Sequence, residues 1–112
     1  MERWHQAGTL LVHEEYDGGM LHGKRINYYS NGNIKEERLF ERGKEDGLRS
    51  MYYYSGQKRG EGLMKYGMMQ GKWTFWYHNK KKELECEFDF GNPVDSAKIY
   101  HDNGVLKEEI KF

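Results

Sequence analysis

One cysteine, one proline, no net charge and a hydrophobic fraction of only 37% set the first bounds on this 112-residue chain. A single thiol, Cys86, excludes an intrachain disulfide and any zinc site built from several cysteines. The balance of 18 Lys and Arg against 18 Asp and Glu removes the basic surplus that neutralises phosphate backbones, and so argues against nucleic acid as a partner. No apolar run approaches the length that spans a bilayer, and Met1 to Gln6 is polar where a secretory signal would be apolar. A cytoplasmic protein is the expectation. The shortage of aliphatic residues excludes a large globular core, and with 32% charged residues it would ordinarily suggest disorder. The aromatics, at 15%, and the 14 glycines argue the other way, because they are the composition of turns and half-buried strands.

The glycines are periodic. Gly19, Gly43, Gly67 and Gly91 are spaced by 24, as are Gly23, Gly47 and Gly71, and Gly8, Gly32 and Gly56, with Gly104 returning after Lys80 interrupts the third column. Eleven of the 14 fall in these columns, which requires a repeated structural unit. Other columns keep the same step. Trp4, Tyr28, Tyr52, Trp76 and Tyr100 are followed by His5, Tyr29, Tyr53, Tyr77 and His101. Tyr16, Phe40, Met64, Phe88 and Phe112 form an apolar column, and Glu37, Glu61, Glu85 and Glu109 an acidic one. The chain reads as one domain, residues 1–112, of about four and a half 24-residue repeats.

Each unit reads as two strands and two turns. Residues 24–29 and 33–40 flank Ser30-Asn31-Gly32, and Asn-Gly between such runs is a hairpin signal because both residues tolerate positive φ. The segment 41–47, with two glycines and several charges, predicts a longer loop to the next hairpin. The expected fold is all-β: an elongated single-layer array of antiparallel β-hairpins, nine to ten strands in one twisted sheet. A three-residue turn with a bulged glycine pairs residue 29 with 33, so that paired numbers sum to 62. Tyr28, Ile34 and Phe40, with Leu10, Val12, Leu84, Leu106 and Ile110, then share the core face. The opposite face carries Tyr29, Tyr53, Tyr77 and His101 with the glutamate column, and sets Arg25 across from Glu37 and Arg49 across from Glu61.

The unit His22-Gly23, Tyr28-Tyr29-Ser30-Asn31-Gly32, Glu37, Phe40 and Gly43 resembles the MORN-repeat variant of many bacterial proteins, over nearly the whole chain. The pattern departs from it at Lys80, Pro93 and Asp95, in the last two units. Proteins similar to this include scaffold modules and antitoxin or immunity components encoded beside bacterial toxins, and MORN repeats have also been linked to lipid association. The resemblance implies a non-enzymatic protein–protein interaction protein, in its specific form an antitoxin or immunity partner that binds a toxin directly. The alternatives it implies are membrane-lipid headgroup binding and a scaffold role.

Catalytic patterns are weak. Gly67 to Lys72 has too few residues between its glycines for a phosphate-binding loop, and Trp73 stands where the magnesium-binding hydroxyl belongs. His5 and His101 lie at opposite ends of the array and cannot share an ion. Cys86 reads as a half-buried apolar residue in the Ile110 column. The glutamates, two strands and about 10 Å apart, read as a solvated ladder rather than paired general acids. No catalytic residue, metal or cofactor is expected.

Two surface features point to binding. Tyr29, Tyr53 and Tyr77, ending at His101, would form a rigid amphipathic row suited to a protein interface, unless each ring merely packs on its neighbours within the sheet. Lys80, Lys81 and Lys82, with Lys72 one strand earlier, form the strongest charge cluster, a candidate patch for an anionic partner such as lipid. The last strand, Val105 to Phe112, would leave an open edge able to take a partner strand or a second copy in a homodimer.

Overall fold

The computed structural model describes residues 2–4 and 10–112, without the side chains of Arg3, Trp4 and Leu10. Roles expected for His5, Gly8 and the side chains of Trp4 and Leu10 fall outside the described residues. The strands are β1 (Glu2–Trp4), β2 (Leu10–Asp17), β3 (Met20–Tyr28), β4 (Ile34–Glu41), β5 (Lys44–Glu45), β6 (Gly47–Tyr52), β7 (Lys58–Lys65), β8 (Met68–Trp76), β9 (Lys82–Asp89), β10 (Asn92–Tyr100) and β11 (Leu106–Lys111). Ten follow one another in a single sheet of order β1-β2-β3-β4-β6-β7-β8-β9-β10-β11, and β5 is a short piece paired to β4. Its extents are 42 × 31 × 13 Å. Ten strands at the usual spacing span about 43 Å, and nine extended residues about 30 Å. The long axis therefore runs across the strands and the thickness admits one layer, as the periodicity predicts.

The tight turn is the expected one. Gly32 donates to the Tyr29 carbonyl at 3.0 Å, Tyr29 to the Asn33 carbonyl at 2.8 Å, and Gly32 lies at φ 89°. Tyr28 pairs with Ile34, a sum of 62. One residue later the register shifts: Asn27 pairs with Glu36 and Arg25 with Arg38, leaving Lys35 as an extra bulged residue. The same bulge falls at Arg59, Glu83 and Lys107. It corrects the expected pairs, since Arg25 faces Arg38 and Arg49 faces Gly62. It also corrects the faces, because a one-residue slip turns every later side chain over. Phe40 lies opposite Gly23, while Glu37 lies opposite Ile26 on the face of Tyr28.

The connection at 41–47 is not a long loop. Glu41 pairs with Lys44 across Arg42-Gly43, and both central residues have positive φ, 49° and 82°, the signature of a type I′ turn. Three such turns are held to the preceding unit: Gly43 donates to Leu21, Gly67 to Glu45 and Gly91 to Met69, at 2.8–2.9 Å. Gly47, at φ 121°, instead marks a break inside the strand that β5 and β6 together form. Asp95 takes that place in the last unit at φ 64°, and Lys80 replaces the tight-turn glycine at φ 71°, so both departures keep the backbone of the repeat.

Packing concentrates on one face. Trp73 is 1% exposed among Met51 and Met64, with Met69, Phe75 and Phe88 against the cluster. Two glycines outside the periodic columns make room for it. A Cβ on Gly62 would overlap Cδ2, Cε2 and Cγ of Trp73, and one on Gly60 would come 2.6 Å from Phe75. Trp73 lies in one cross-strand row with Cys86, Ala97 and Ile110, so Cys86 is a buried member of the Ile110 row. The other face carries a continuous row, His13, Ile26, Glu37, Ser50, Glu61, Thr74, Glu85, Lys98 and Glu109, in which the glutamate column alternates with intervening strands.

Candidate functional site

Alternation along β6 puts Tyr53 on the Trp73 face, not with the glutamates as expected from the sequence. Its phenol donates to the Trp76 carbonyl at 2.6 Å, and those of Tyr29 and Tyr77 donate to Tyr52 and Tyr100 at the same distance. Each tyrosine thus fastens its turn to the next unit. The rings pack too: Tyr29 sits edge-on to Tyr54 at 5.4 Å, and Tyr53 stacks on His78 at 3.8 Å. Asn31 and Asn79 act in parallel, donating to the carbonyls of Tyr54 and Asp102 at 2.9 and 2.6 Å. His101 closes the row at an exposed turn. The structure therefore holds the four predicted residues in line, with three of their polar groups spent internally.

The row borders an open cleft. Tyr53, Phe75 and Leu84 form its apolar lining and Arg59 and Glu83, both bulge residues, flank it, enclosing about 410 Å³. Partial burial raises the Tyr53 phenol above its ordinary range, and the Glu83 carboxylate adds to the effect. A rigid aromatic wall beside one cation and one anion can seat an apolar side chain and orient its polar neighbours.

The lysine cluster is largely committed. Lys72 and Lys82 converge on Glu85 at 2.6 and 2.9 Å. Burial alone would raise the Glu85 carboxyl, but the hydrogen bonds and charges of the two lysines bring it down to about 2. Lys81 donates to the Asn103 carbonyl at 3.1 Å, and Lys80 supplies the left-handed turn residue.

Two other features carry little sequence signal. Tyr66 and Phe90 occupy the first position of successive type I′ turns at φ 50° and 47°, and are 61% and 51% exposed. Bulky residues seldom adopt that conformation, so two exposed aromatics are held there at some strain. Buried Glu45 is gripped by Arg49 through two bonds of 2.9 and 2.6 Å, and Arg49 also lies 5.8 Å over the Trp73 ring. Burial pushes the Cys86 thiol up, away from the reactive thiolate. Among the described residues no group of three His, Cys, Asp or Glu side chains is placed to hold a metal ion, and no helix is long and apolar enough to cross a membrane.

The sequence profile described as the MORN repeat variant matches residues 21–42, 69–89 and 96–112, together more than half of the chain. The unmatched interval 43–68 contains Gly60 and Gly62. No curated protein matches. Among solved structures, one titled crystal structure of TarM is similar over 89% of this chain at 11% identity with a TM-score of 0.48, and this chain covers 21% of that one.

Proposed function

The chain belongs to the MORN repeat variant family, and we propose that it is a non-enzymatic module that binds another protein across the Trp73 face. Repeats of this family are generally protein- or lipid-binding modules. Tyr29, Tyr53, Tyr77 and His101 form the row against which the partner lies. The observation that carries the reading is the cleft of Tyr53, Phe75 and Leu84 between Arg59 and Glu83, on a thin slab whose internal hydrogen bonds already fix the wall. A preformed aromatic surface loses little entropy on binding. In its narrower form the partner is a bacterial toxin and the chain its cytoplasmic antitoxin or immunity protein, a form that rests on the family resemblance.

Affinity capture from native lysate tests the reading. The tagged chain should retain a defined protein, and the charge swap Arg59→Glu with Glu83→Lys should reduce that retention at least tenfold while leaving the fold intact. Unchanged retention removes the cleft from the interface. Retention of anionic lipid alone, read by liposome flotation and lost on replacing Lys72, Lys80, Lys81 and Lys82, would favour the headgroup reading. The narrower form requires that the captured protein arrest growth when expressed alone and be relieved by co-expression.

A further inference from the structure

Among the described strands the sheet repeats one interface between units four times, at β2 against β3, β4 against β6, β7 against β8 and β9 against β10, and in the last three the tyrosine tie is described. Its parts recur by position. Tyr29, Tyr53 and Tyr77 each donate to a carbonyl 23 residues ahead. Asn31 and Asn79 do likewise through Nδ2. Their amides are pre-set, because Oδ1 accepts from the backbone N–H two residues on, at 3.0 Å in both.

The outer edge of β11 carries the same parts without the neighbour. Asn103 Oδ1 accepts from Val105 N–H at 3.0 Å, as in Asn31 and Asn79, so Nδ2 is turned outward in the same way, and no described acceptor meets it. His101 stands in the tyrosine column with a shorter donor. Leu106–Lys111 is exposed at every residue. Glu109 occupies the position of Glu85, which has Lys98 across the strand boundary on its outer side. We propose that this edge takes an extended strand of a partner protein, added antiparallel, with a lysine or arginine opposite Glu109 and a backbone carbonyl on Asn103 Nδ2. The proposal rests on the protein-binding reading and names the partner's chemistry: a basic β-strand, recognised through its main chain and one charge. The alternating Lys107, Glu108, Glu109 and Lys111 discourage indiscriminate pairing while leaving one charge for a specific strand.

The chain supplies its own probe. A peptide copying residues 92–103 would place its Lys98 opposite Glu109 and its Asp102 carbonyl at Asn103, by analogy with β9 and β10. Titrated into the 15N-labelled full chain, it should shift amides of residues 101–112 and leave β2 to β4 unmoved. Asn103→Ala and Glu109→Lys should each weaken binding about three- to tenfold, as a cross-strand charge pair and a hydrogen bond warrant. A peptide with Lys98→Glu should bind poorly to the parent chain and recover on Glu109→Lys, a rescue that local misfolding cannot imitate. No shifts at millimolar peptide, shifts elsewhere, or absence of charge-swap rescue would overturn the proposal. So would sedimentation showing that the edge is occupied by a second copy of the chain. If a lysate partner is retained equally by Asn103→Ala and Glu109→Lys, the module reading stands and the edge proposal alone fails.

Discussion

Substituting Gly62 by alanine perturbs the centre of the sheet with one methyl group. Gly62 has no positive φ, so alanine fits the backbone, and any loss must come from contact. The new Cβ would overlap Cδ2, Cε2 and Cγ of Trp73, a ring 1% exposed, fixed by a 3.0 Å bond from Nε1 to the Leu63 carbonyl and capped by Arg49. Overpacking of this kind costs about 1–3 kcal/mol, and displacing the indole forfeits a hydrogen bond of about 1 kcal/mol, so the expected loss is about 2–4 kcal/mol. Set against a typical domain stability of about 5–15 kcal/mol, this lowers a urea midpoint by roughly 1–2 M at a slope near 2 kcal/mol/M. Far-UV circular dichroism during urea unfolding, in sucrose if a variant is marginal, would measure it. The decisive comparison is the same change in a Trp73→Ala background, where the obstacle is gone and alanine for strand glycine should be neutral or stabilising by up to about 1 kcal/mol. A loss under 0.5 kcal/mol in the parent, or an equal loss in both backgrounds, would refute the steric argument.

Removing the Tyr53 hydroxyl with Tyr53→Phe should cost about 1 kcal/mol in the same assay, with Tyr29→Phe and Tyr77→Phe alike and nearly additive, because each severs one tie between units. The Glu85 carboxyl, lowered from its ordinary 4.5 to about 2 in the fold, stabilises the protein above about pH 4.5, and that contribution disappears as pH falls through 2. Replacing both Lys72 and Lys82 with methionine should raise the Glu85 midpoint, followed by carboxyl 13C shifts, and an unmoved midpoint would discard the ion-pair account. Lys80→Gly should stabilise by about 0.5–1 kcal/mol, since glycine relieves the strain of φ 71° at some cost in unfolded-state entropy. A loss instead would mean that the lysine side chain contributes more than its backbone costs.

The period and the tight turn were legible because a positive φ selects glycine, as at Gly32, Gly56 and Gly104, and the spacing of those residues marks each turn. The bulge one residue later leaves no such mark. Lys35, Arg59, Glu83 and Lys107 share only length and polarity, and an extra residue of this kind needs no glycine. Counting from the turn is therefore right at Tyr28 and Ile34 and wrong by one at Asn27, which is enough to exchange the faces. The segment 41–47 reads as a loop because Arg42, like Tyr66 and Phe90 in the later type I′ turns, replaces the asparagine or glycine that usually reports them. Gly60 and Gly62 did carry a signal, since glycine inside a strand implies close approach of another group. The tyrosine column was visible, but the direction of its hydroxyls depends on how neighbouring units stack, which no local pattern encodes.

The Trp73 face is filled in two different ways along one geometry. Towards β2 the central row is Glu14, Arg25 and Arg38, with Arg38 bonded to Glu36 and 3.9 Å from Glu45, and Arg25 3.9 Å from Glu14. Towards β10 the same row is Trp73, Cys86 and Ala97. Ion pairs between these partly exposed arginines and their more buried glutamates return little beyond the cost of desolvating the carboxylates, whereas the indole and its methionines add burial directly. In a repeat array each unit contacts only its neighbours, so the apolar half cannot stabilise β2 and β3 at a distance. Arg49 is the junction, bonded to Glu45 on one side and laid over Trp73 on the other. What passes unchanged through that junction is hydrogen bonding to backbone carbonyls: the N–H groups of the turn glycines on the preceding unit and the tyrosine hydroxyls on the next. The period therefore belongs to hydrogen bonds that tolerate any filling, which is how a chain only 37% hydrophobic holds ten strands in one sheet and keeps a single aromatic row across both halves.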